Sequence, residues 1–207
     1  MGKKVLPFLL LLPAVLAVGA FAARSDSPLP ARAEGPKDAP IVIDVFSDFQ
    51  CPACKQLYES TLTRVVEDYC AKGKVLLVHH DFPLVQIHAH TMEAARWADA
   101  AAIIGKYEAV AAALFAKQEE WAAHGNVEQV VADALGPAEF AKAKKALADH
   151  KDQIDSEIQQ DVFLGHQMNV TQTPTTKISQ KGNVLSVTTG HIQYSILKRY
   201  LDDQLAK

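Results

Sequence analysis

Cys51-Pro52-Ala53-Cys54 narrows the fold of this chain more than any other feature, because of what flanks it. Before it, Ile41-Val42-Ile43-Asp44-Val45-Phe46 reads as a short buried strand. After Pro52, Leu57, Leu62, Val65, Val66 and Tyr69 recur at three- and four-residue spacing, an amphipathic helical period that Gly73 ends. The two sulfurs therefore stand where a buried strand hands over to a helix.

Three chemistries could use such a pair. A structural zinc site needs four ligands, and the chain has only three cysteines. If Cys54 to Cys70 is one helix, those two lie roughly 24 Å apart, which excludes both a shared ion and a Cys54–Cys70 disulfide. A haem attachment site needs His after the second cysteine, and Lys55 stands there. His79, His80, His88 and His90 offer nitrogen ligands for copper, so a copper-handling protein using Cys51 and Cys54 is the alternative from another class. A purely structural disulfide would close a loop too short to remove much unfolded-state entropy. Redox chemistry fits the context best. Pro52 suits the first helical turn, where a missing N–H costs nothing. The free N–H groups and helix dipole then face the Cys51 sulfur and lower its pKa. Cys54, one turn on, can resolve a mixed disulfide.

The remaining pattern alternates strand and helix. Val75-Leu76-Leu77-Val78 reads as a second strand. From about His90 to His166 the chain is alanine-rich and helical, punctuated at Gly105, Gly125 and Gly136-Pro137. "TPTTKISQKGNVLSVTTG" reads as two strands about a Lys181-Gly182-Asn183 turn, and an amphipathic helix follows from about Tyr194 to Leu205. Pro174 by itself reads as a trans turn proline. Cys70 reads as a buried helical cysteine, Trp97 and Trp121 as core or groove wall, and the Lys142–Lys145 run as a solvated helix face.

The N-terminus carries an address. Lys3 and Lys4 precede an apolar run from Val5 to Ala22, a basic head before an apolar core. Residues 1–22 read as a signal peptide, with small-x-small sites at Ala20–Ala22 and Ala31–Ala33, or as a retained membrane anchor; residues 23–37 read as a linker. Either way the remainder faces an oxidising, extracytoplasmic compartment, periplasmic in a cell that has one. The net charge is −3, and without residues 1–35 there remain 17 basic and 22 acidic groups, which disfavours nucleic acid as a partner.

"FSDFQCPACK", "DFPLVQIHAH" and "VTQTPT" together resemble the DsbA-like thiol oxidoreductases of the thioredoxin superfamily. The resemblance implies an α/β thioredoxin fold over residues 38–207, with a helical insertion at about 90–166 between the second strand and the cis-proline and terminal hairpin. It implies catalytic Cys51 and Cys54, and a cis Thr173–Pro174 bond beside them that turns the Thr173 backbone toward an extended substrate. Pro52, Phe49 and His88 are supporting candidates, with His88 expected at a helix start or in packing. No metal or cofactor is expected at the site. The implied activity is the introduction of disulfides into cysteine-bearing, incompletely folded exported proteins by a monomer, with a membrane redox partner reoxidising the pair. A reductase or isomerase is the alternative within the class. Two positions depart from the family pattern. Val45 replaces a buried acid six residues before the first cysteine, and strand alternation sends its neighbour Asp44 to the other face. Ala53 replaces the His of strongly oxidising members.

Overall fold

A run of β-branched residues, interrupted by Asp44 and followed by Phe46, makes the central strand β2 (Ile41–Ser47), whose Ile41, Ile43 and Val45 are at most 1% exposed. It pairs in parallel with β3 (Val75–Asp81), in register Ile41↔Val75 to Ser47↔Asp81. On its other side β4 (Thr175–Gln180) runs antiparallel to β2, and the Lys181-Gly182 turn returns the chain as β5 (Asn183–Thr189). A two-residue strand, β1 (Ala33–Glu34), adds antiparallel to β3, so the sheet order is β1-β3-β2-β4-β5. This is a computed structural model that describes residue 1 and residues 32–207. The expected signal or anchor over residues 1–22 lies outside the described residues, and among those described no helix is long and apolar enough to cross a membrane.

β1 corrects the expected linker over 23–37. Ala33 and Glu34 pair with Val78 and Leu77, and the Arg32 carbonyl accepts a 2.8 Å hydrogen bond from the His79 N–H. Gly35 permits this: its φ is +94°, and a Cβ there would stand 2.1 Å from the Val75 carbonyl oxygen. Two residues are too few to show a strand period, and an Ala-, Pro- and charge-rich context reads as tether.

Pro52 opens the first helix, α1 (Pro52–Leu57), which continues through π turns at Tyr58–Leu62 and Val66–Cys70 with α2 (Thr63–Val65) between them. Its apolar side, including Leu57, Leu62, Val65 and Tyr69, packs in the main core with Ile41, Ile43 and Val45. The helical insert comprises α3 (Thr91–Ile103), α4 (Tyr107–Ala116), α5 (Gln118–His124) and α6 (Val127–Gln167). The break expected at Gly136-Pro137 is present: the helical path of α6 is interrupted at Gly136 (φ 70°, ψ 167°), and again at His150 (φ −120°, ψ 16°). Trp97 stacks on Phe140, and Trp121 is fully buried with its indole N–H donating to the Leu114 carbonyl at 2.6 Å, so both tryptophans are core. The last helix, α7 (Tyr194–Leu205), buries Tyr194, Leu197 and Leu201 along one stripe. A smaller cluster of Phe46, Phe82 and Val170 forms a second core.

Candidate active site

The chain leaves β2 at Ser47 and reaches Cys51, which caps α1 in extended conformation (φ −80°, ψ 121°) ahead of Pro52. Cys51 is 8% exposed and Cys54 only 2%, and both are free thiols in this structure. A hydrogen bond from the Cys54 thiol pulls the Cys51 thiol down to about 5, against its burial, with help from Thr173 and from the N–H groups of Cys54 and Ala53. Burial and the Cys51 sulfur beside it push Cys54 the other way, well above the ordinary thiol range. One sulfur is thus a thiolate at neutral pH while the other keeps its proton.

The Thr173–Pro174 bond is cis, and the Thr173 carbonyl lies 3.4 Å from the Cys51 sulfur across 122 positions of sequence. Phe49 is 4% exposed and packs on the Phe115 ring at 5.0 Å, walling the loop before the cysteines. His88, in the loop after β3, donates from Nδ1 to Asp48 at 2.8 Å. Cys70 is buried in the last turn of the first helix, and its thiol is raised to about 12 by burial and the nearby Glu34 carboxylate.

Asp44 lies on the face away from the cysteines. Its carboxylate pairs with His80 at 3.0 Å and Lys177 at 2.7 Å, so it does not replace the acid absent at Val45. The buried acid close to the thiols is Asp48, a residue the sequence reading did not single out. Its backbone N–H donates to the Cys54 sulfur at 3.4 Å. Its side chain accepts from the N–H groups of Gln50 and Leu84, each at 2.7 Å, and also from His88 and the Thr91 hydroxyl. Those partners fasten the cysteine loop to the loop after β3 and to the start of α3. Gln118 was missed as well. From α5 its side-chain amide donates to the carbonyls of Phe49 at 2.7 Å and Cys51 at 3.0 Å, and Gln118 itself is 3% exposed. A buried carboxylate or amide has a pattern only in space, and "SDF" reads locally as the polar end of a strand.

The histidines considered as copper ligands are not gathered at the thiols. His79 and His80 point to opposite sides of β3, and His80 sits between Asp44 and Asp161, the latter 2.7 Å from its Nδ1. Among the described residues no third His, Asp, Glu or Cys joins Cys51 and Cys54 at ligand spacing.

A mixed sheet with a parallel β2–β3 pair, a CxxC at the helix N-terminus and a cis-proline beside it defines a thioredoxin-fold thiol–disulfide oxidoreductase. The thioredoxin family model matches residues 30–203, and the chain belongs to that family. It is 27% identical to the probable disulfide bond formation protein D of Bacillus anthracis, over 84% of this chain and 77% of that one. Its fold resembles the thiol-disulfide exchange protein alpha-DsbA2 of Wolbachia pipientis, with a TM-score of 0.71 at 20% identity, covering 86% of this chain and 88% of the other. It also resembles oxidised BdbD of Bacillus subtilis, with a TM-score of 0.66 at 19% identity, covering 86% and 94%.

Proposed function

We propose that this protein-disulfide oxidoreductase introduces disulfides into exported proteins, with Cys51 as the exchanging sulfur and Cys54 as its resolving partner. The observation that carries this reading is the split between the thiols, Cys51 held down to about 5 and Cys54 held up. A stabilised Cys51 thiolate favours the reduced form of the pair, which makes the disulfide form an oxidant. In that form a substrate thiolate attacks the Cys51 sulfur and the Cys54 thiolate leaves. A second substrate thiolate then attacks the substrate sulfur of the mixed disulfide and releases Cys51 as thiolate. The substrate dithiol is oxidised by two electrons, which the Cys51–Cys54 pair receives.

The Thr173 carbonyl lies one hydrogen-bond length from the Cys51 sulfur, so Thr173 and the following Pro174 are suited to line the path of an extended substrate. Phe49 precedes Cys51 in the same loop, and Pro52 opens the helix that Cys51 caps. The basic head and apolar run at residues 3–22 support export, and the name of the Bacillus anthracis relative supports the oxidising direction. Reoxidation falls to a membrane redox partner, and the enzyme works as a monomer on cysteine-bearing, partly folded proteins.

Two measurements test this. Cys54→Ser should accumulate substrate mixed disulfides on Cys51, and Cys51→Ser should accumulate few; equal trapping by both removes the assignment of roles. Equilibration with glutathione should give a potential nearer the roughly −120 mV of strong oxidants than the roughly −270 mV of thioredoxin-type reductants. A value at the reducing end would replace oxidase by reductase and leave the site intact. Stoichiometric copper binding at Cys51 and Cys54 without dithiol turnover would instead support the copper-handling alternative.

A further inference from the structure

The thiol chemistry makes no use of a second convergence of ligand groups, at the strand the sequence hides. Glu34 comes from β1, His79 from β3 and Glu108 from the first turn of α4. Glu34 Oε1 lies 3.5 Å from His79 Nε2, and His79 Nε2 lies 4.0 Å from Glu108 Oε1. The three ligand atoms all fall within 4.8 Å of one another. The His79 side chain is only 7% exposed and the Glu34 side chain 15%. Neither Glu34 oxygen nor His79 Nε2 makes a hydrogen bond of good geometry. Buried carboxylate oxygens and an imidazole nitrogen held only by long contacts with one another and with Glu108 are costly, and groups of that kind are normally paired closely or bound to an ion.

Arg32, a buried cation whose charge is felt at His79, does not answer them. The Arg32 guanidinium is taken up by Asp81, Asp99 and Asp161. The surroundings look like the supporting shell of a site. The Tyr58 hydroxyl donates to Glu108 Oε2 at 2.9 Å, leaving Oε1 turned to His79, and the Tyr107 ring packs against the imidazole at 5.5 Å.

We propose that Glu34, His79 and Glu108 bind a divalent transition-metal ion, zinc by preference, which fastens β1 and α4 to β3. Ligands about 2.0–2.1 Å from a tetrahedral ion stand roughly 3.3 Å from one another, so the separations of 3.5 and 4.0 Å from His79 need little contraction, and the two glutamates, within 4.8 Å of each other, must close further on the ion. An imidazole among two carboxylates suits zinc, whereas calcium and magnesium take oxygen ligands. The fourth position is left to water. The Cys70 thiol stands near Glu34 but is not among the groups at ligand spacing. The ion would act on architecture: a two-residue strand has few backbone bonds to hold it, and three ligands from three elements would add a cross-link between the N-terminal segment, the sheet and the insert.

The test is zinc titration of the full chain in its Cys51–Cys54 disulfide form, which removes the reactive thiols as competing ligands, read by competition with a chromophoric chelator. One equivalent should bind, unfolding should move to higher temperature with zinc, and protease cutting near residue 34 should slow. His79→Ala and Glu34→Gln should each weaken binding by about tenfold or more, and Cys70→Ser should leave it unchanged. Cobalt should give visible ligand-field bands without the near-ultraviolet charge-transfer band of a thiolate ligand. Absence of saturable zinc uptake by the folded wild-type chain overturns the proposal, whatever becomes of the variants. So does uptake that survives His79→Ala, or that disappears with Cys70→Ser.

Discussion

Neighbouring parallel strands end in two buried sites that handle charge in opposite ways. β2 ends at Ser47 and leads to Cys51, where a single negative sulfur is held by N–H groups, a thiol and a helix terminus. β3 ends at Asp81, where the Arg32 guanidinium meets three carboxylates: Asp81, Asp99 at 2.8 Å and Asp161 at 2.5 Å. Asp161 also reaches His80, and His80 reaches Asp44, so the charges at the end of β3 are answered by fixed opposite charges. At the end of β2 the charge is answered by dipoles alone and vanishes when the sulfur enters a disulfide. A charge that must come and go is stabilised without a counter-ion, and a charge that only holds elements together is neutralised in place.

Thiol reactivity should show the largest effect. In the folded, reduced chain Cys51 should alkylate faster than Cys70 by about a hundredfold at neutral pH, because one thiol titrates near 5 and the other near 12 and the far larger thiolate fraction of Cys51 outweighs its lower intrinsic nucleophilicity. The Cys51 rate should fall as pH drops through about 5. Comparable rates for the two would abolish the contrast between a poised and an inert cysteine.

Arg32→Met should come next. It leaves three buried carboxylates without their cation and should destabilise the chain by about 3–5 kcal/mol in urea unfolding, the usual cost of breaking a buried ion pair from one side. A loss below about 1 kcal/mol would mean that the network is surface-like in its energetics.

The sign of a pH effect sharpens the comparison further. Cys51 has a folded-state pKa below its unfolded value, so its thiolate stabilises the reduced protein above the unfolded pKa, and that contribution is lost as pH falls toward about 5. Relative to Cys51→Ala, reduced wild-type chain should lose stability on acidification from about pH 9 to about pH 5. A flat difference would show that the thiolate is not preferentially stabilised by the fold.

Asp48→Asn should have the smallest effect of the four. An amide cannot accept from Gln50, Leu84, His88 and Thr91 together, so about 1–3 kcal/mol should be lost. The Asp48 N–H that bonds Cys54 is kept in the variant, so a shift of the Cys51 alkylation profile along the pH axis would report displacement of the loop that carries it, and an unchanged profile would show that the side-chain bonds act on stability alone.

Local pattern was enough for the elements that carry a period or a punctuation mark. A short β-branched run marked β2, and the hydrophobic stripe of α7 matched Tyr194–Leu205. The CxxC context placed Cys51 at a helix N-terminus, because Pro52 and the preceding strand are local facts. The site's remaining partners were beyond such reasoning. Thr91 from α3 and Gln118 from α5 act on the cysteine loop, and Asp48 acts from within it; no spacing along the chain encodes a hydrogen bond between positions 49 and 118.

The sequence by itself determined the chemistry on offer: a vicinal pair of cysteines in a strand-to-helix turn, a proline downstream able to sit beside them, and an amphipathic helix to close the fold. The tertiary structure alone decided which side chains answer each other. Arg32, inside the apparent linker, is drawn in by Asp161, 129 residues away, because three buried carboxylates need a cation more than a short segment needs its freedom. Asp44 and Val45 are neighbours in sequence, yet the pleat sends one to a histidine and a lysine and the other into the core against the first helix. Burial sets the energy of each such pairing, and burial exists only once distant segments have come together.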